Sequence, residues 1–207
     1  LLITGVAGVS GYNAFKYSYE KSPGQVIGTR RKEYWPLSGD GLVGCDVTNQ
    51  ESITALCQQH SFRSVINCLG TCKLKSCELD PVMAHRVNVQ GINNLVNALQ
   101  QSGSSDATMI HLSVDLVFSG KTAGKQYIES DTPDPVTVYG KTMVEAEHII
   151  LDRMPHATIL RISLPMGSSF SGHAGAIDWI QSRFKNNKPA TLYYDEIRTP
   201  QYTDCLN

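Results

Sequence analysis

The sequence predicts an α/β fold of the Rossmann type, a doubly wound parallel sheet with helices on both faces. Short apolar segments alternate with longer segments of helical periodicity along the chain. This alternation is typical of parallel strands that are joined by crossover helices. The first apolar segment runs directly into a turn that contains Gly5, Gly8 and Gly11. Such a turn between the first strand and the first helix is where Rossmann sheets bind a dinucleotide.

Each element follows from its own local pattern. Apolar runs bounded by turn residues predict strands at residues 1–4, 25–29, 42–47, 64–68, 108–113 and 157–163. Apolar residues at helical spacing predict helices at about residues 10–21, 49–60, 80–101, 138–153 and 178–186. Asn49 is the expected N-cap of the second helix. Residues 120–135 are polar and contain glycine and proline, so we expect a loop there.

The composition argues against several classes of protein. The chain carries 18 basic and 19 acidic side chains, a net charge of −1, which disfavours a nucleic acid as the main partner. It contains no apolar run long enough to span a membrane, and we expect a cytoplasmic protein. The six cysteines match neither a CxxC pair nor a zinc-site spacing. We therefore expect no metal, and buried thiols in a reducing compartment.

The glycine turn predicts a site for a diphosphate. Gly5 permits the tight turn, Gly8 lets the backbone approach the phosphates, and Gly11 lets the helix pack closely on the strand. The helix N-terminus offers free N–H groups and the positive end of a dipole. The expected contacts also include three residues between the glycines, namely Val6, Val9 and Ser10. The alternative is a turn with a structural role only.

The end of the second strand indicates which dinucleotide binds. Arg30 and Arg31 lie where an adenosine ribose would be, and arginine accommodates a 2′-phosphate, whereas a carboxylate would favour NAD. Glu33 follows only after the arginines. We therefore favour NADP(H) over NAD(H), and a solvated basic loop remains the alternative. Further cofactor contacts are expected after the third and fourth strands and at the end of the fifth, at Asp46, Val47, Cys68, Leu69, Gly70 and Ser113.

Several motifs together resemble one family. They are Thr4 to Gly11, Asp46-Val47, Asn88-Val89-Gln90-Gly91, the segment from Ser113 to Gly120, and a segment with Glu129, Pro133, Tyr139-Gly140 and Glu147. Leu160-Arg161 with Gly167, and Asp195 with Pro200 and Tyr202, continue the match. The chain resembles the extended short-chain dehydrogenases/reductases, and within them the dTDP-4-dehydrorhamnose reductase family. The resemblance implies that residues 1–207 form the NAD(P)-binding domain, with part of a substrate-side lobe from about residue 163. We expect the C-terminal remainder of the family fold to be absent from this chain.

The resemblance also implies a catalytic triad, of which this chain keeps one member. Family members use a tyrosine, a lysine and a serine or threonine to reduce a ketone. Tyr139 matches the tyrosine, whereas Met143 stands at the lysine position and Val114 at the hydroxyl position. Lys141 is two residues from Tyr139 on the helix, about 200° around it, so it cannot replace the lysine. Ser113 should point to the other face of its strand, away from the site of Val114.

Two functions follow as hypotheses. The first is an NADP(H)-dependent reductase of a nucleotide-linked 4-keto sugar, with impaired or altered catalysis. The second is a catalytically silent dinucleotide-binding module with a regulatory or scaffold role. The resemblance includes such a case, the regulatory beta subunit of methionine adenosyltransferase, although that relative keeps the lysine. A homodimer or a regulatory partner is compatible with either hypothesis.

Overall fold

The computed structural model describes residues 1–31, 37–122, 126–170, 172 and 175–206. Its main sheet has six strands in the order β3-β2-β1-β4-β5-β6, which confirms the predicted Rossmann-type fold. The strands of this sheet are β1 (Leu2–Thr4), β2 (Ile27–Arg30), β3 (Leu42–Gly44), β4 (Ser64–Asn67), β5 (Thr108–Val114) and β6 (Ala157–Ile162). Two further strands, β7 (Pro165–Met166) and β8 (Gln201–Tyr202), pair with each other in parallel.

The helices follow the same chain order. They are α1 (Val9–Lys21), α2 (Gln50–Gln59), α3 (Leu74–Leu79), α4 (Pro81–His85), α5 (Gly91–Gln101), α6 (Val138–Arg153), α7 (Ala176–Lys185) and α8 (Thr203–Leu206). A π-helical turn (Arg86–Gln90) joins α4 to α5, and a 3₁₀ turn (Asp115–Val117) follows β5. No helix in the described part of the chain is long and apolar enough to cross a membrane.

One compact unit contains residues 1–46, 64–68 and 162–207. Its strands β1 to β4 pair in parallel, with Leu2 opposite both Ile27 and Val65. Residues of β1, α1 and the segments that connect β1, α1, β2 and β3 form one buried apolar cluster: Ile3, Val6, Phe15, Val26 and Leu37. This unit carries the glycine turn.

The second unit contains residues 47–63 and 69–161. Buried apolar residues of α2 and α5, such as Ile53, Leu95 and Leu99, form part of its core. Asn49 caps α2 as predicted, because its side chain accepts a hydrogen bond from the Ser52 backbone N–H at 3.0 Å. This unit carries Tyr139.

The structure corrects several expectations. The predicted helix over residues 80–101 is interrupted by the π-helical turn, and the third strand ends at Gly44 rather than at residue 47. The elements α3, α8, β7 and β8 were not predicted, because each is six residues long or shorter and has no clear period. The cysteines are free, but Cys72 and Cys205 are exposed, so the expectation of buried thiols was wrong for these two.

Candidate functional site

The glycine turn joins the first strand to the first helix, as predicted. Strand β1 ends at Thr4, Gly5 adopts a positive φ of 70°, and α1 begins at Val9. The Gly8 backbone N–H donates to the Gly5 carbonyl at 3.0 Å and closes the turn. Only glycine adopts the Gly5 conformation without strain, so the sequence enforces this turn.

Two glycines of the turn differ in what surrounds them. A Cβ on Gly11 would press against the carbonyl oxygen of Gly5 and would lie 2.7 Å from the Gly5 carbonyl carbon. The packing of α1 on the turn therefore requires glycine at position 11. Among the described residues, a Cβ on Gly8 would meet only the Gly5 carbonyl oxygen, at 3.5 Å, which is an ordinary contact. These residues thus leave room for a side chain at position 8.

The N-terminal end of α1 suits an anion. Gly8 is the N-cap and supplies no capping side chain, and the first turn of the helix contains no acidic residue. No acidic side chain of this first turn therefore neutralises its backbone N–H groups or the positive end of the helix dipole. Val9 is buried and Ser10 is half-buried, so Ser10 is the more accessible of the two.

The two arginines after β2 have different environments. The Arg30 side chain is half-buried, and its Nε donates to the Leu37 carbonyl while its Nη1 donates to the Arg31 carbonyl at 3.2 Å. Arg30 therefore binds the carbonyl groups of Arg31 and Leu37. Arg31 is exposed. Glu33, which entered the sequence argument on cofactor choice, lies outside the described residues.

The other residues expected near the dinucleotide lie close to strand ends. Asp46 is half-buried, two residues beyond β3, and Val47 follows it as a buried residue. Cys68 directly follows β4, and burial raises the pKa of its thiol to about 12. A thiol with this pKa remains protonated at neutral pH and does not act as a nucleophile.

Asn88 positions the segment with Leu69 and Gly70. Its Oδ1 accepts a hydrogen bond from the Thr71 N–H at 2.7 Å, and its Nδ2 donates to the Thr71 carbonyl at 3.3 Å. The same Nδ2 donates to Thr142 Oγ1 at 2.9 Å, which ties this segment to α6. In the sequence, Asn88 is recognisable as part of the Asn88-Val89-Gln90-Gly91 motif, which does not indicate its hydrogen-bond partners. A buried asparagine within an apolar helix face was the signal for a structural hydrogen-bond partner.

Tyr139 lies in an apolar cluster on α6. The helix begins after Thr137, whose side chain caps the Gly140 N–H at 3.0 Å. The buried members of the cluster, here called the Tyr139 cluster, are Cys77, Ala84, Val114, Val117, Tyr139 and Met143. Tyr139 is only 9% exposed, so its ring is almost fully enclosed.

The helical geometry around Tyr139 agrees with the sequence argument. Met143, one turn after Tyr139, is buried in the same cluster, whereas Lys141 is exposed. The position from which a family lysine would reach the tyrosine is therefore occupied by a thioether. Val114 also belongs to the cluster, so a methyl-bearing side chain replaces the hydroxyl.

Ser113, which precedes Val114 on β5, has a carboxylate as its partner. Its hydroxyl donates to Oε1 of Glu147, and Arg161 binds the same carboxylate, with Nη2 to Oε2 at 2.7 Å. Ser113 is therefore engaged with Glu147, which lies on the same helix as Tyr139. The sequence motifs contain Glu147 and Arg161, but they do not indicate that the two side chains form an ion pair.

His111 adds a titratable group to the interior of the second unit. It is fully buried on β5, and burial lowers the pKa of its imidazole to about 4, although the Glu147 carboxylate raises it. The ring is neutral at physiological pH. The imidazole is therefore part of the interior wall of this unit. No group of three or more potential metal-ligating side chains occurs among the described residues.

Comparison with known proteins identifies the family. A sequence profile described as the RmlD substrate binding domain matches residues 1–207. The chain belongs to this family. The resemblance that the motifs indicated is thereby confirmed.

Relatives of this RmlD-family chain include two named reductases. It is 30% identical over 200 residues to the probable low-salt glycan biosynthesis reductase Agl14 of Haloferax volcanii, which covers 96% of the chain and 65% of that protein. It is also 30% identical over 203 residues to a dTDP-4-dehydrorhamnose reductase of Aggregatibacter actinomycetemcomitans, covering 98% of the chain and 63% of the relative. The chain thus spans less than two thirds of either relative.

A solved structure supports the fold. The dTDP-4-dehydrorhamnose reductase of Bacillus anthracis in complex with NADP superposes with a TM-score of 0.76 at 22% identity, over 99% of this chain and 66% of that one. At this identity the similarity establishes a shared fold. The Rossmann-type prediction is therefore confirmed by a structure as well as by the strand order.

Proposed function

We propose that this chain binds NADP(H) at the Gly5–Gly11 turn and belongs to a reductase that acts slowly on a nucleotide-linked 4-keto sugar. The contrast between Gly8 and Gly11 carries the binding proposal. Packing explains glycine at position 11, whereas among the described residues a Cβ on Gly8 would meet nothing closer than 3.5 Å. A diphosphate that lies close to the backbone at position 8 would leave no space for a side chain, which accounts for glycine there.

The preference for NADP(H) rests on Arg31. The Arg31 side chain is exposed directly after β2, where the sequence predicts the adenosine ribose. A charge-assisted contact from Arg31 to a 2′-phosphate would contribute roughly 1.5–3 kcal/mol, or about 10- to 100-fold in affinity.

Charge reversal tests this preference. Arg31→Glu should weaken NADPH binding at least about 10-fold and should leave NADH binding nearly unchanged, measured by the fluorescence of the bound reduced cofactor. Arg30→Glu is the matched control, because it removes the loop contacts and should weaken both cofactors together. An equal loss for NADPH and NADH in Arg31→Glu would contradict the choice of NADP(H).

Tyr139 is the proposed proton donor. Bound NADPH would supply the hydride for reduction of the ketone. Tyr139 would donate its phenolic proton to the carbonyl oxygen, and no hydroxyl at position 114 would assist. Because position 143 holds methionine, no ammonium one turn along the helix assists this proton transfer. Poor proton transfer typically costs about 10²–10⁴ in rate, so we expect slow turnover.

Restoring the two family groups tests the chemistry. A Val114→Thr, Met143→Lys double variant should raise kcat by about 10²-fold or more on a dTDP-4-keto sugar. The same variant with Tyr139→Phe should lose the gain, and Met143→Leu, which keeps an apolar side chain of similar size, should give none. A wild-type kcat that already equals that of the double variant would overturn the proposal of slowed catalysis.

A second candidate is a catalytically silent module. Its support is the burial of Val114 and Met143 within the apolar cluster around Tyr139, an arrangement that packs well but lacks two catalytic groups. This candidate predicts cofactor binding without turnover in the wild type. The same assays separate the two, because any Tyr139-dependent turnover by the wild-type protein would exclude a silent module.

The proposed function also involves residues outside the glycine turn and a small-molecule partner. Residues from about 163 onward contribute to a substrate-side lobe, as the family resemblance implies. The cofactor contacts of the second unit are proposed at Leu69, Gly70, Ser113 and Tyr139. The partner is a nucleotide-sugar-like small molecule, and a homodimer or a regulatory partner fits the same resemblance.

A further inference from the structure

Two cysteines flank the beginning of α3 in the second unit. Cys72 precedes the N-cap residue Lys73 and is exposed, whereas Cys77 lies within the helix and is fully buried. Both are free thiols. They are five positions apart in sequence, and the Cys77 N–H bonds the Lys73 carbonyl at 3.0 Å, so the helix begins between them.

The thiol of Cys77 faces the backbone that carries Cys72. Its Sγ lies 3.6 Å from the carbonyl oxygen of Thr71, and that carbonyl forms the peptide bond to Cys72. Standard peptide dimensions then place Cys77 Sγ within roughly 6.5 Å of Cys72 Cα. Burial raises the pKa of the Cys77 thiol, and the negative charge of a Cys72 thiolate raises it further, which agrees with two nearby sulfur atoms.

We propose that Cys72 and Cys77 form a reversible disulfide that changes the surroundings of Tyr139. A small-molecule disulfide is the oxidant. The Cys72 thiol, whose pKa is raised by burial, loses its proton, its sulfur attacks one sulfur atom of the oxidant, and the first thiol leaves. The Cys77 thiolate then attacks the Cys72 sulfur and displaces the second thiol. Two protein thiols and one disulfide thus yield one protein disulfide and two small thiols, and excess thiol reverses the reaction.

The consequence for Tyr139 follows from the position of Cys77. Its reduced side chain belongs to the Tyr139 cluster, together with Val114 and Met143. A bond to the exposed Cys72 directs the sulfur of Cys77 toward that residue and disturbs the packing of the ring. An effect of oxidation on turnover would rest on the function proposed above. The disulfide and the altered environment of the ring do not depend on that function.

The first test identifies the bond in the intact, native protein. After incubation with glutathione disulfide and alkylation, trypsin should release residues 64–73 linked to residues 76–86. Cys68 lies in the first of these peptides, so the Cys68→Ser variant should keep the link and the Cys72→Ser variant should lose it. A link that disappears in Cys68→Ser, a glutathione adduct that remains on Cys72, or an absence of reaction would each overturn the proposal.

The second test reports on Tyr139 without any assay of activity. Protein labelled with 3-fluorotyrosine has nine tyrosine signals in its fluorine NMR spectrum, and the signal missing from Tyr139→Phe identifies Tyr139. Oxidation should shift this signal in the wild type and in Cys68→Ser, and excess dithiothreitol should restore it. No shift in a sample whose disulfide has been verified by mass spectrometry would refute the coupling to Tyr139.

Discussion

Two alanine substitutions in the Gly5–Gly11 turn should separate folding from cofactor binding. Gly11→Ala places a methyl group against the backbone of Gly5, with the Gly5 carbonyl carbon at 2.7 Å and the Thr4 carbonyl oxygen at 3.1 Å. In the part of the chain that the structure describes, the methyl group of Gly8→Ala meets a single atom, the Gly5 carbonyl oxygen, at 3.5 Å. The same added methyl group therefore clashes at one position and fits at the other.

Two opposing effects decide whether Gly11→Ala raises or lowers the free energy of unfolding. Alanine within a helix is more favourable than glycine by about 1 kcal/mol, so propensity alone predicts stabilisation. Overpacking costs up to about 3 kcal/mol, and the upper value applies because the opposing atoms are backbone atoms that cannot rotate away. We expect a net loss of about 2 kcal/mol and a fall in Tm of roughly 5 °C. Gly8→Ala changes only the N-cap and should lose less than about 1 kcal/mol.

NADPH affinity should respond most directly to Gly8→Ala, the variant that changes stability less. Gly8→Ala should stay folded yet bind NADPH at least about 10-fold more weakly, because its methyl group occupies the space a phosphate would need. The assays are urea unfolding followed by circular dichroism and NADPH titration by fluorescence. Gly11→Ala at wild-type stability would refute the packing argument. Wild-type NADPH affinity in Gly8→Ala would refute a diphosphate at this turn.

Local patterns were sufficient to predict the parts of the fold that depend on neighbours in sequence. The turn after β1 needs a left-handed Gly5, and the face of α6 follows from its helical period. The position of Met143 beside Tyr139, and of Lys141 away from it, was therefore predicted correctly from spacing alone.

Tertiary partners account for what the sequence could not provide. The π-helical turn contains Asn88, whose side chain bonds Thr71 and Thr142, and helical periodicity carries no sign of those partners. Arg30 and Arg31 looked equivalent because nothing in the sequence indicates that the Leu37 carbonyl would bind Arg30. The contact between Arg30 and Leu37 is therefore visible only in the folded chain.

Two further predictions concern the buried polar residues of the second unit. Burial lowers the pKa of His111 from 6.5 to about 4, so between these values the unfolded chain binds a proton that the folded chain does not. Stability should therefore fall by up to about 3 kcal/mol as the pH drops through this window. His111→Gln should flatten this dependence in urea unfolding, the exposed His85→Gln should not, and equal slopes in all three proteins would contradict the assignment. Glu147→Ala should lose about 3–5 kcal/mol, because it leaves the Arg161 guanidinium partly buried without its carboxylate. Glu145 is its control, since its pairing with His85 is about half exposed and its removal should cost less than about 1 kcal/mol. Similar losses for the two glutamate variants would show that the Arg161 pair does not stabilise the interior, and that Ser113 and β5 are held to α6 by apolar packing alone.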